Sequence, residues 1–173
     1  MIDRFIAKAT LAGADVRRAA GLPAAILLIK AEIEKSGFRS LIISPDLTER
    51  APFAEAFAGL PTALPDGALW ADAGIVAADF GVAETGSVAH FDRSDGEKHP
   101  WTIPDVCFCV LEASKIVPDL EGIAPEMAAH LGRTDIPSPQ VSLVTGPSRT
   151  ADVENQLTIG VHGPSRLVIV LAS

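Results

Sequence analysis

Three short runs gather glycines with side chains that can bind or react. The first is A-D-F-G-V-A-E-T-G-S at residues 78–87, which sets Asp79, Glu84, Thr85 and Ser87 around Gly81 and Gly86. Glycine lets a ligand approach the main chain. A carboxylate at a strand end beside a tight turn suits a nucleophile or a general base. The same residues also suit a plain polar turn in which Glu84 bonds nearby amides. The second run is G-P-S-R-T-A-D-V-E at residues 146–154, directly after an apolar stretch. There Arg149 could clamp a carboxylate or phosphate with two parallel hydrogen bonds. Ser148 or Thr150 could cap a following helix whose free amides would add to an anion site. Asp152 and Glu154 already put negative charge there, which works against phosphate. The third run is G-V-H-G-P at residues 160–164. His162 between its glycines could shuttle a proton near neutral pH, or serve as a hydrogen-bonded structural residue.

The elements that must position these runs alternate along the chain. Ile2, Phe5, Ile6 and Ala9 predict a helix over 2–12. Residues 14–18 are ambiguous. Leu22, Ala25, Ile26, Ile29 and Ile33 form one stripe of a second helix, with Pro23 in its first turn and Gly37 at its stop. Apolar runs at 41–44, 106–111, 141–145 and 167–171 predict short strands of a mostly parallel sheet covered on both faces. Helices are expected over 47–58 and 118–131. Two strand-like runs at 79–84 and 87–91 predict a hairpin or a bulged strand around Thr85–Gly86. Residues 92–100 read as a polar loop, and residues 146–154 as a loop that opens a helix. This pattern is an α/β sandwich, and the whole of 1–173 reads as a single domain.

Composition excludes several classes. The 173 residues carry a formal net charge of -8 with no basic run, so nucleic-acid binding is not expected. No uncharged apolar stretch is long enough to span a bilayer. Asp3, Arg4 and Lys8 interrupt the start, which does not read as a secretory leader, so a cytoplasmic location is expected. Cys107 and Cys109 fall on one face of a strand and read as buried thiols rather than as a disulfide or a metal site. Two cysteines cannot supply the four ligands of an iron–sulfur cluster. His90, His99 and His130 have no companions at metal-ligand spacing and read as surface or loop residues. Nucleotide P-loop, dinucleotide G-x-G-x-x-G, zinc H-E-x-x-H and serine-hydrolase G-x-S-x-G motifs do not occur.

The three runs, in this order and spacing, resemble the LUD-domain family from about residue 22 to the end of the chain. That resemblance implies a fold like those of sugar-phosphate isomerases and CoA transferases: a three-layer α/β sandwich, a parallel-rich sheet with helices on both faces. It also implies a component of a cytoplasmic system that oxidises L-lactate to pyruvate with iron–sulfur partner subunits. The clusters would lie in those partners, and this chain would bind no cofactor of its own. Carried over by motif, Glu84, Thr85 and Gly86 belong to the first signature, Ser148, Arg149, Thr150 and Asp152 to the second, and His162 to the third. Relatives tend to place a histidine near the position of Cys107. The expected site therefore joins Glu84 and His162, as candidate catalytic groups, to Thr85, Gly86, Ser87, Gly146, Ser148, Arg149, Thr150 and Asp152 around a small anionic ligand. The alternative is a self-sufficient acyl- or phosphoryl-transfer enzyme that attacks through Glu84.

Overall fold

In a computed structural model, the apolar stripe of the first segment becomes α1 (Ile2–Leu11), with Phe5 and Ala9 buried. The structure describes residues 1–48, 51–57, 70–93, 99–150 and 158–173. After α1 come β1 (Asp15–Ala19), α2 (Gly21–Ser36), β2 (Leu41–Ile43), α3 (Pro45–Thr48) and α4 (Ala51–Ala56). Next are β3 (Ala71–Ala77), the hairpin of β4 (Phe80–Val82) and β5 (Ser87–Phe91), α5 (His99–Thr102) and β6 (Pro104–Glu112). The chain continues through β7 (Ile116–Val117), α6 (Ala124–Leu131), β8 (Val141–Val144), β9 (Arg149–Thr150), β10 (Thr158–Ile159) and β11 (Arg166–Ala172).

Five strands form a wholly parallel sheet in the order β1-β11-β6-β3-β2. Side chains alternate across it, so β6 sends Val106, Phe108 and Val110 one way and Cys107, Cys109 and Leu111 the other. The first set packs with Ile26, Ile29 and Ile33 of α2, Leu47 of α3, Phe53 of α4 and Phe57 just after it. The second set packs with Phe5 and Ala9 of α1, Val88 of β5 and Trp101 of α5. The fold is thus the expected parallel-rich α/β sandwich.

The second face carries more than helices. A four-stranded mixed sheet, β7-β4-β5-β8, lies over it beside α1. Its outer side packs Ala89 and Phe91 against Ile123 and Met127, beneath α6. All five residues of β5 are buried, because that strand lies between two packed layers. Among the described residues, no helix is long and apolar enough to cross a membrane.

Several expectations need correction. The 14–18 segment is an edge strand, β1. The strand at 71–77 was not expected at all, yet it is the fourth strand of the parallel sheet. The strand at 141–144 leaves that sheet and runs antiparallel to β5. The helix expected over 118–131 begins only at Ala124, with Pro125 in its first turn and a 3-10 turn before it. Two short helices replace the one expected over 47–58, with residues 49, 50 and 58 outside the described residues. Residues 94–98 of the expected loop also lie outside the described residues, whereas His99–Thr102 is helical. His90 and His130 are buried rather than superficial.

Candidate functional site

The second and third runs meet. The Ser148 amide donates to the Pro164 carbonyl at 2.9 Å, and the Gly160 amide donates to the Ser148 carbonyl at 3.0 Å. A two-residue ribbon, β9 against β10, closes the same corner. Ser148 or Thr150 was expected to cap a helix, and the segment that would form it, from residue 151 on, lies outside the described residues. Arg149 and Thr150 are extended and pair with Ile159 and Thr158. Asp152 lies outside the described residues.

Beneath that corner is a cleft of about 300 Å³. Cys107 and Leu167, register partners on β6 and β11, form its floor. Trp101 and Val144 form apolar walls. Gly146, Pro147, Ser148 and Arg149 line one rim, and His162, Gly163 and Pro164 the other. Arg149 and His162 are exposed, and Ser148 is half-buried. Among the described residues the lining holds no carboxylate, although the chain has 22 acidic side chains. Burial pushes the Cys107 thiol far above its ordinary range, which favours the neutral thiol in the floor. Burial raises Cys109 likewise, with Cys107 and Asp79 adding to it.

The first run stands elsewhere. Glu84 is exposed at the tip of the β4–β5 hairpin and does not line the cleft. Among the described residues no ion pair joins it to Arg149, so the pocket expected from that pair does not form. Thr85, Gly86 and Ser87 do not line the cleft either, but they support it. Thr85 Oγ1 lies 2.7 Å from Ser87 Oγ, which lies 2.5 Å from Thr145 Oγ1, one residue before Gly146. This hydroxyl chain ties the hairpin to the start of the second run.

Both runs also grip α1. Gly86 has φ 74° and Gly146 has φ 77°, a region that favours glycine. A Cβ at Gly86 would overlap the Ala9 backbone nitrogen, and one at Gly146 would overlap the Ala12 carbonyl oxygen. Arg149 Nη2 donates to that same Ala12 carbonyl, at the C-terminal end of α1. A guanidinium there answers both an unpaired carbonyl and the negative end of the helix dipole. Arg149 therefore has a structural duty as well as a place on the cleft. Its guanidinium carries five N–H donors, so others remain for a ligand.

Sequence reasoning missed the apolar half of the cleft and His90 behind it. His90 is fully buried, with Nδ1 3.1 Å from the Ala77 carbonyl and Nε2 3.3 Å from Asp92 Oδ1. Its ring lies 5.6 Å from that of Trp101, and so backs the cleft wall. One of only two tryptophans, set beside a charged stretch, was the available signal for Trp101.

Fold and cleft together define an α/β protein whose cationic cleft sits where two glycine-rich turns meet. A family profile described as LUD domain matches residues 2–172, and the chain belongs to that family. It is similar to lactate utilization protein C of Geobacillus kaustophilus, 28% identical over 108 residues that cover 62% of this chain and 45% of the relative. It is also similar to lactate utilization protein C of Bacillus subtilis, 28% identical over 141 residues, covering 81% and 58%. The chain thus spans about half the length of the curated relatives it matches. A crystal structure of a DUF162 family protein from Deinococcus radiodurans shares the fold, with a TM-score of 0.69 at 23% identity, covering 99% of this chain and 96% of that one.

Proposed function

We propose that this chain is a component of a cytoplasmic system that uses L-lactate, and that it binds a small carboxylate in the Arg149 cleft. The cleft lining carries the reading: an arginine, a histidine and a serine around an apolar floor, with no acid among the described residues, in a chain of net charge -8. A carboxylate would take the free N–H donors of Arg149. The Ser148 hydroxyl and the His162 imidazole would then stand near a 2-hydroxyl or 2-oxo group. The names of the relatives support the pathway. Two cysteines cannot supply a cluster's four thiolates, so iron–sulfur subunits would carry the electrons in partner chains.

The alternative of acyl or phosphoryl transfer through Glu84 loses its support, because that carboxylate stands outside the cleft. Titration calorimetry with L-lactate and pyruvate tests the proposal. Binding that weakens in Ser148→Ala and in His162→Ala is expected. No heat with either acid, or visible absorbance from a cluster or flavin on the purified chain, would overturn it. Loss of growth on L-lactate after deletion of the gene in its host is the matching result in the cell.

A further inference from the structure

A second hollow of about 280 Å³ adjoins the cleft, and His162 and Gly163 line both. The two lobes differ in character. The inner one offers Ser148, Arg149 and the Trp101 side chain. The outer lobe is lined by Trp70, Pro104, Val161 and Asp105. Trp70 is 59% exposed, and among the described residues no other Trp or Phe side chain is exposed. A large apolar ring held in water beside a cleft is what a stacking platform requires.

A three-carbon acid would occupy only one of these hollows, and their combined size suits a larger organic ligand. We propose that the two hollows join past His162 into one trough that takes an elongated anion with a flat ring at its far end. The carboxylate or phosphate head lies in the inner lobe against Ser148 and Arg149, and the ring stacks on Trp70. Asp105 accepts a hydrogen bond from a hydroxyl or amino group near the ring. This inference rests on reading the inner lobe as an anion site. The shared chemistry, an anionic head and a flat tail, belongs to an aryl-substituted 2-hydroxy acid and to a nucleoside monophosphate alike.

Calorimetry on the full chain with L-lactate, phenyllactate and adenosine monophosphate separates these sources. At least one elongated probe is expected to bind about tenfold more tightly than L-lactate, a gain typical of stacking on one aromatic side chain. That gain should vanish in Trp70→Ala and persist in Trp70→Phe, with quenching of tryptophan fluorescence in the wild type. If L-lactate binds and neither elongated probe binds more tightly, or if the gain survives Trp70→Ala, the elongated ligand is wrong while the anion site stands. If none of the three binds, the anion reading itself falls and takes this inference with it.

Discussion

The β4–β5 hairpin and the corner formed by residues 146–150 and 160–164 are built from the same kinds of residue, and they do different things. Each has glycine at positive φ (Gly86 in the hairpin; Gly146, Gly160 and Gly163 in the corner) and hydroxyl side chains, and each has one charged side chain that invites a chemical role. In the hairpin the glycine meets the backbone of α1, the hydroxyls meet each other, and Glu84 is left in solvent. In the corner one glycine meets α1 as well, but the rest of the turn opens over an apolar floor. Polar residues around glycine show that backbone passes close to something. Whether that something is another segment or a ligand depends on what the sheet places opposite.

The largest expected effect tests the gripping role. Gly86→Ala puts a methyl group where the Ala9 nitrogen already lies and forces a left-handed conformation on alanine. Strain and overlap together should lower stability by about 2–5 kcal/mol. Urea denaturation of Gly86→Ala and Gly146→Ala measures it. Stability unchanged in both variants would show that neither turn holds α1.

Arg149 belongs to both roles, and its substitutions separate them. Arg149→Ala removes a donor to the Ala12 carbonyl at a helix end and should reduce stability by about 1 kcal/mol. It should also weaken carboxylate binding about tenfold or more, as loss of a charged hydrogen bond does. Arg149→Lys keeps the charge and loses the fork, so it should restore part of the stability and little of the binding. Equal recovery of both would mean that the planar guanidinium has no special part in the cleft.

Much of the fold was legible because long apolar stripes and runs report burial directly. The α2 stripe of Ala25, Ile26, Ile29 and Ile33 is buried as its spacing predicts. The missed elements are those whose apolar content is small or broken. Ala71–Ala77 reads A-D-A-G-I-V-A, with just two large apolar residues, and at Gly74 the Pro100 carbonyl of α5 lies too close for any side chain. Strand β1 reads D-V-R-R-A because it is an edge, where charge is tolerated. The placement of β8 was not legible at all, since an apolar run does not say which strand it will pair with. The meeting of the second and third runs follows from backbone pairing that residue types do not encode.

Away from both turns, an ion-pair cluster joins β1 and β11 to α2. Arg17 and Arg166 each contact both Asp15 and Glu32, at 2.9–3.2 Å. The hydrogen bond from Arg17 is the main cause that holds both carboxyls below their ordinary values of 3.8 and 4.5, with Arg166 helping. A depressed carboxyl stabilises the fold above its unfolded pKa and loses that contribution as pH falls through the folded one. Stability should therefore decline below about pH 4.5. In Asp15→Asn it should be lower at neutral pH and decline less steeply in acid. Acid unfolding followed by circular dichroism checks this, and an unchanged slope in Asp15→Asn would mean that the cluster is too well solvated to contribute.

The smallest expected effect is the most informative about the comparison. Glu84 has the residue type, neighbours and glycine context of a catalytic carboxylate, yet it is exposed and lines no part of the cleft. Glu84→Gln should change stability by less than about 0.5 kcal/mol, as exposed substitutions do. Carboxylate affinity should also stay the same. By contrast Ser87→Ala, two turns of chemistry away in type but joined to Thr145, should disturb binding through the loop that begins at Gly146. If Glu84→Gln weakened binding and Ser87→Ala did not, the hairpin would be acting on the ligand directly. The distinction between a turn that grips and a turn that binds would then have to be abandoned for this molecule.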